Sequence, residues 1–387
     1  MSHFGNIIRK VLHVKYLFIT AFAFLAMGGL AFVTLNISFL SPVTQIVKNF
    51  SLSDIYYQIS QSIGHREKSV GITLVDMTLL YDRADIAQAL KDVESLEPKT
   101  VGVDIVFEGL LDESCGNDSI AQVASQYDNI VWSFRVMNYV DSKVGYADAM
   151  HSFFADTMSI DEGCTNMERS LYGNTKRQLS MYTTLQGNVY PSFVSRLVGK
   201  YTDKAEDSQP AYELLDINFM PTEFTILSAD SVLAHPELIR NRIVLFGAMY
   251  EETDMHYTPI GKMAGMELLA YALQTLIDHK SVSELPGFWF WTITAVLVYL
   301  TMLLQDSFIA LARRIRNGIL SDLVSSSYVV TIVTFIWMAL LLGISFVLFS
   351  LYNFSFNLGW AFAAMAFLEI SKDLWEAGAH RIHFRQH

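Results

Sequence analysis

Three aspartates and a histidine are the side chains of this sequence best placed to do chemistry. Asp76 closes the apolar run 70–75, and Asp104 follows Val103 inside the run 100–107. Asp254 and His256 lie in the acidic stretch 251–256, shortly after the apolar run 243–246. Acids at the carboxyl ends of parallel strands sit where open α/β sheets bind ligands, so these residues could form a polar site or hold a cation. The same residues have a structural use, because such acids commonly accept hydrogen bonds from loop backbone N–H groups. Asp254-x-His256 supplies only two metal ligands, too few for a site. The sequence holds no Gly-x-Gly-x-x-Gly, no Gly-x-x-x-x-Gly-Lys-Ser/Thr, no His-Glu-x-x-His and no Gly-x-Ser-x-Gly. Phosphate cradles and the common hydrolase centres are therefore unsupported, and no catalytic residue, cofactor or metal is expected.

The elements that must position these residues can be read from periodicity. Residues 70–76 form a strand ending in Asp76, and residues 84–96 place Ile86, Leu90 and Val93 on one helical face. A second strand is expected at 100–107, a helix at 117–125 and a third strand at 129–134. This alternation argues for βαβ units and a parallel sheet. Residues 135–230 are less regular, with a helix expected at 191–201 and a strand at 219–224. The stretch 242–276 then reads as strand, acidic loop and helix, with Leu269, Ala272, Leu273 and Leu276 at helical spacing.

Charge and hydropathy divide the chain. It is 52% hydrophobic with a mean hydropathy of +0.30, too apolar for an ordinary soluble enzyme. Residues 36–286 carry 34 acids and 18 bases, whereas the flanking parts are net basic. A domain this negative repels phosphates, so nucleic acid is excluded as a partner. Residues 16–35 are an uncharged run long enough to cross the roughly 30 Å hydrocarbon core, read as an uncleaved signal anchor. Further spans are expected at 288–304 and 328–349, with a shorter fourth at 354–370. Arg9, Lys10 and Lys15, then Arg313, Arg314 and Arg316, then Lys372, Arg381 and Arg385 fall on one side only if there are four spans. The expected layout is a cytoplasmic N-terminus (1–15), a first span (16–35), an external domain (36–286), spans two to four (287–371) and a cytoplasmic tail (372–387).

Other candidates are weaker. Cys115 and Cys164 both fall in the external part, where pairing would close a loop of about 50 residues and stabilise by roughly 4 kcal/mol; unpaired buried thiols are the alternative. Asp306 near the inner end of the second span could couple spans, or simply pair with Arg313 seven residues on. Gly28-Gly29, and Gly359 with Ala363, permit close helix packing with self or partner, so a homo-oligomer stays open. His380, His383 and His387 keep company with Arg381 and Arg385, as in a lipid-surface tail.

The ordered set of motifs resembles the CHASE2 domain, an extracytoplasmic sensory module of bacterial signalling proteins. The strand ending in Asp76 resembles its Ile-Asp element, and Val103-Asp104-Ile105-Val106-Phe107 its Phe-Asp-x-x-Phe element. Gly163-x-x-Asn166 and Gly173-x-x-x-Arg177 resemble its Gly-x-x-Asn and Asp-Gly-x-x-Arg elements, with Tyr172 where an acid is usual. Residues 228–233, 242–247, Asp254, Thr258-Pro259 and Gly265-Met266-Glu267 complete the series. The resemblance implies one span before and three after the domain, and an inner-membrane location. Family members usually continue into a kinase or nucleotide cyclase, which the tail after the last span is too short to be. The expected fold is thus an α/β external domain with a mainly parallel sheet plus a four-helix transmembrane part. The expected role is a non-catalytic sensor or receptor subunit that relays a stimulus to a separate protein partner. The alternative is a structural scaffold or accessory subunit of an envelope membrane complex.

Overall fold

A computed structural model describes residues 14–36, 52–112, 116–166, 175–203 and 214–384. The chain divides into two compact units, one of residues 57–282 and the other of residues 1–56 with 283–387.

Along the chain, helices α1 (Val14–Asn36) and α2 (Leu52–Ile63) precede strand β1 (Glu67–Asp76), helix α3 (Arg83–Glu94), β2 (Thr100–Val103), α4 (Asn117–Gln126) and β3 (Ile130–Asp141). A run of shorter strands comes next: β4 (Gly145–Met150), β5 (Asp161–Cys164), β6 (Gln178–Ser180), β7 (Tyr182–Leu185) and β8 (Asn188–Pro191). Then come α5 (Phe193–Tyr201), β9 (Leu214–Asp216), β10 (Thr222–Ser228), β11 (Ile243–Gly247), the hairpin β12 (Met255–Thr258) and β13 (Gly261–Ala264), and α6 (Gly265–Ile277).

The main sheet has nine strands in the order β10-β1-β11-β2-β3-β4-β7-β8, with β5 also pairing β3. The pairs β10–β1, β1–β11, β11–β2, β2–β3 and β3–β5 are all parallel. β11 comes late in the chain yet inserts between β1 and β2, where Asp76 registers with Gly247 and Phe246 with Val103. Residues 72–75, all of β2 and all of β11 are buried, as expected of parallel strands covered on both faces.

Side-chain alternation explains the two covers. Val75, Val101, Val103, Ile130, Trp132, Val244 and Phe246 share one face with Ile86, Leu90 and Val93 of α3 and Ile120 and Val123 of α4. On the other face the strands thin to glycine where a helix comes close. A Cβ on Gly102 would stand 2.8 Å from the Phe193 ring and 2.7 Å from Leu197 of α5. One on Gly247 would stand 3.1 Å from Met266 Sδ of α6.

Most expected elements are present with shifted bounds. β2 stops at Val103 rather than running to Phe107. Past Asp104, whose N–H still donates to the Phe246 carbonyl at 2.9 Å, the chain leaves the ladder. The Phe107 N–H there bonds Ser152 Oγ, and its carbonyl takes the Phe153 N–H. β3 runs longer than expected because its second half pairs antiparallel with β4, from Arg135–Met150 to Asp141–Gly145.

Glu94 sits in the last turn of α3, where the helix dipole disfavours a negative charge. Its Oε2 accepts from Asn129 Nδ2 at 3.0 Å, while Oε1 is buried without a partner. Burial pushes the carboxyl up from 4.5 to about 7 against the Asn129 bond, and the Asp128 charge adds to the rise. A raised carboxyl stabilises the fold fully only below its unfolded value, and that contribution is lost as pH rises through about 7. Glu94→Gln is therefore expected to melt higher than the parent above neutral pH, by on the order of 1–2 kcal/mol after allowing for solvent screening. The gain should vanish in acid, as thermal unfolding across pH will show; a constant difference at all pH values would contradict it.

In the second unit, α1, α7 (Gly287–Ala312) and α9 (Ser327–Tyr352) are long and apolar enough to cross a membrane. Strand β14 (Ser283–Glu284), helix α8 (Gly318–Val324) and strand β15 (Phe354–Ser355) lie between them or at their ends. The stretch expected as a fourth span is not one continuous helix. It opens in β15 and continues as α10 (Gly359–Ala366) and α11 (Leu368–Phe384), separated at Phe367.

Candidate functional site

The carboxyl ends of β1, β11 and β2 lie side by side and present Asp76, Gly247 and Asp104, and beside them the middle of β3 carries Arg135. Asp76 belongs to the loop rather than to an open site. Its Oδ1 accepts the Thr78 N–H at 3.0 Å, the Thr78 hydroxyl, and the Met249 N–H at 3.1 Å. Thr78 Oγ1 in turn accepts the Met249 and Tyr250 N–H groups at 3.1 and 3.3 Å. A short acid at the end of a strand thus stitches the loops after β1 and β11 together, the structural use such residues commonly have.

Asp104, Asp254 and His256 do come together. Burial pushes the Asp104 carboxyl up from 3.8 to about 6, and the negative charge of Asp254 adds to the rise. The positive charges of Arg135 and His256 act in the opposite direction. Asp254 Oδ1 lies 3.4 Å from His256 Nε2. The Asp254 carboxyl group also occupies the space a Cβ on Gly265 would need, with Cγ 2.8 Å and Oδ1 2.9 Å from that point. Gly265 is the first residue of α6, whose N-cap Ala264 offers no side-chain acceptor. A carboxylate there is favoured by the exposed N–H groups and the helix dipole.

Gly247 is needed for this packing. A Cβ on it would reach within 3.4 Å of Asp104 Cβ as well as 3.1 Å of Met266 Sδ. Arg135 does not stand out in the sequence. The available signal is a lone base in an otherwise apolar strand, two residues past Ser133 and so on the same face. Ser133 comes after Trp132, the partner of Val103, so it takes the register position beside Asp104; its buried hydroxyl has no hydrogen-bond partner. Two carboxyls, an imidazole and a guanidinium together can hold a charged or zwitterionic group. Among the described residues no cluster of three or more His, Cys, Asp or Glu is placed to hold a metal ion.

The remaining candidates are scattered. Cys164 is a buried free thiol whose pKa burial raises, with Sγ 3.5 Å from Asn166 Oδ1. Cys115, its expected partner, lies outside the described residues, as does Gly173 of the Gly-x-x-x-Arg element. Asn166 brackets β3 through Val136, accepting its N–H at 2.7 Å and donating to its carbonyl at 2.9 Å. Asp306 of α7 does not turn to Arg313, which caps the same helix about two turns and roughly 10 Å farther on. It accepts instead from Tyr16 of α1 at 2.7 Å and lies 3.9 Å from Lys372 of α11. Lys372 donates to Gln305 at 2.6 Å, and Gln305 donates to Thr334 of α9 at 2.8 Å. One polar cluster thus touches α1, α7, α9 and α11.

The chain thus joins an α/β domain with a mostly parallel sheet to three helices long and apolar enough to cross a membrane, the features of a membrane protein. The CHASE2 domain family model matches residues 29–305, and the chain belongs to that family of extracellular sensory domains. Comparisons with curated proteins and with solved structures returned no match.

Proposed function

We propose that the chain is a non-catalytic sensor or receptor subunit of the bacterial inner membrane, which passes a stimulus to a separate protein partner. The observation that carries this reading is the Asp104–Asp254–His256–Arg135 group, gathered around the carboxyl end of β2 within a domain of a sensory family. The Asp104 carboxyl responds to an added charge nearby, because its state depends on burial and on the charges of Asp254, Arg135 and His256. The layout we favour has both termini in the cytoplasm and the external domain in the periplasm, supported by the three basic clusters. α10 and α11 together then make the fourth crossing, with Lys372 reaching Gln305 and Asp306 in the shared polar cluster. A cluster that ties four helix segments gives a stimulus a route through the membrane, since such groups are costly there and kept for use.

Co-purification of the full chain in mild detergent tests this, with parent and Asp104→Asn compared at about pH 5 and about pH 8. The parent is expected to retain a stoichiometric partner whose association changes with pH, and the variant is expected to lose the change. The Asp104 carboxyl favours the folded state in acid and loses that contribution as pH rises through about 6, so the variant's unfolding should lack this step. Recovery of the chain without any partner at either pH would remove the relay reading. A partner held equally at both, in parent and variant alike, favours a scaffold.

A further inference from the structure

The loops after β1, β11 and β2 expose apolar side chains together. Tyr81 is 85% exposed, Leu79 78%, Leu110 74%, Tyr250 71% and Leu111 49%. Single exposed apolar residues need no explanation, but five from three loops on adjacent strands form a patch. These loops are also held in place. Asp76 and Thr78 bond the backbone of Met249 and Tyr250, so the first two loops move as one. The third is fixed by Arg83, which donates to the carbonyls of Gly109 at 2.8 Å and Glu108 at 3.0 Å. It is fixed again by Asn117, which bonds both the N–H and the carbonyl of Leu111. Side chains on loops tied down in this way cannot fold inward to hide their apolar surface. Rigid, exposed aromatic and aliphatic anchors are what a binding surface requires.

Charge then selects the occupant. Asp82, Glu108, Asp112, Glu251 and Glu252 are exposed in the same three loops. The segments 77–82, 108–112 and 249–252 contain no basic residue. Arg83, the base of the adjoining helix that holds the third loop, is itself buried. An acidic rim around an apolar centre repels anionic lipid, nucleic acid and a second copy of the same patch.

We propose that the loop edge formed by Leu79, Tyr81, Leu110, Leu111 and Tyr250 is a docking surface for a protein segment with apolar side chains flanked by Lys or Arg. Apolar anchors bury on the loops, and the bases of the partner face the five carboxylates. This surface does not include the Asp104–Asp254–His256 group and stands whether or not that group responds to a stimulus.

The probe is a fluorescent synthetic peptide of alternating Leu and Lys character, titrated against the full chain in phosphatidylcholine nanodiscs. Its counterpart carries Glu for Lys. The Lys peptide is expected to bind in a salt-sensitive manner. Affinity should fall at least tenfold in Leu79→Ser/Tyr81→Ser/Tyr250→Ser, whose net charge is unchanged, and in Glu251→Gln/Glu252→Gln. Asp104→Asn should bind as the parent does. Because the substituted side chains are exposed, the melting temperature should hold; Leu110→Ser alone is the milder check if the triple variant does not fold. Equal affinity of parent and triple variant would overturn the proposal, since the peptide would then be bound by the acidic domain at large. Binding of the Glu peptide at equal strength, self-association through these loops, or flotation of the nanodiscs with phosphatidylcholine vesicles through them would also overturn it.

Discussion

Replacing Arg83 with alanine is expected to destabilise the external domain by about 3–5 kcal/mol. The side chain is only 5% exposed. Its guanidinium donates to the carbonyls of Glu108 and Gly109 and to Asn117 Oδ1 at 2.5 Å. It also lies 5.0 Å from the centre of the Phe153 ring and 5.7 Å from that of Phe107. Alanine removes the charged donors and both cation–π contacts at once, and takes a donor from three part-buried acceptors. Asn117, which also holds Leu111, loses its anchor, so damage should spread through the loop after β2 and into the start of α4. For a domain of this size the melting temperature should drop by roughly 10 °C. Backbone amides of 105–112 should lose hydrogen-exchange protection first. Arg83→Lys keeps the charge but not the planar fork, so it should recover less than half of the loss. A melting temperature for the alanine variant within about a degree of the parent would show that the loop is held by other means.

Arg83 also marks the limit of what sequence could reveal. It stands among acids at the start of a helix, Asp82-Arg83-Ala84-Asp85, and local pattern makes it a surface base. What covers it comes from later in the chain: Phe107, Glu108, Gly109, Asn117 and Phe153. Local pattern does identify β1, β11 and the helices between strands, because periods of 2 and 3.6 are set by neighbours in sequence. It cannot show that β11 enters between β1 and β2, since nothing in residues 243–247 encodes which strands flank them. For the same reason Asp76 and Asp104 look equivalent in sequence. Both end strands in the same sheet, yet Asp76 meets the N–H groups of Met249 and Thr78, and Asp104 meets Asp254, Arg135 and His256. The difference arises from the loop beyond β11 and from the far half of β3, both distant in sequence from β1 and β2. The polar membrane cluster is a similar case: an acid spaced seven residues from a base suggests a local pair, but tertiary packing offers Asp306 the nearer Tyr16 and Lys372.

Gly163 carries the second large effect, and Gly163→Ala is expected to cost about 3 kcal/mol. The Gly-x-x-Asn element reads in sequence as a family signature without a reason; the sheet supplies one. β5 pairs with β3 so that Gly163 registers with Ser133. The start of α5 crosses over it closely enough that a Cβ would overlap Phe193 Cα and stand 2.7 Å from Phe193 N. The obstacle is backbone, not the end of a movable side chain. Helix α5 cannot retreat cheaply either, because Ser192 Oγ caps it by accepting the Ser195 N–H at 3.1 Å, and Phe193, Val194 and Leu197 are all buried. Relief must therefore come from lifting α5 off Gly102 and Gly163 together, which opens gaps around Phe193 and Leu197, or from detaching β5 from β3. Detaching β5 would also free Asn166 from Val136 and shift His151, whose Nδ1 is 2.8 Å from Glu162 of the same strand. Either route reaches β3, which carries Ser133 and Arg135, so the alanine variant should alter the candidate site as well as stability. Gly102→Ala is the informative control. Its obstacles are the ring edge of Phe193 and the methyls of Leu197, which can turn aside, so its cost should be clearly smaller in denaturant unfolding of the full chain. Equal costs for the two variants would mean that α5 floats as a unit on the sheet, and that Gly163 has no special hold on the strand bearing Arg135.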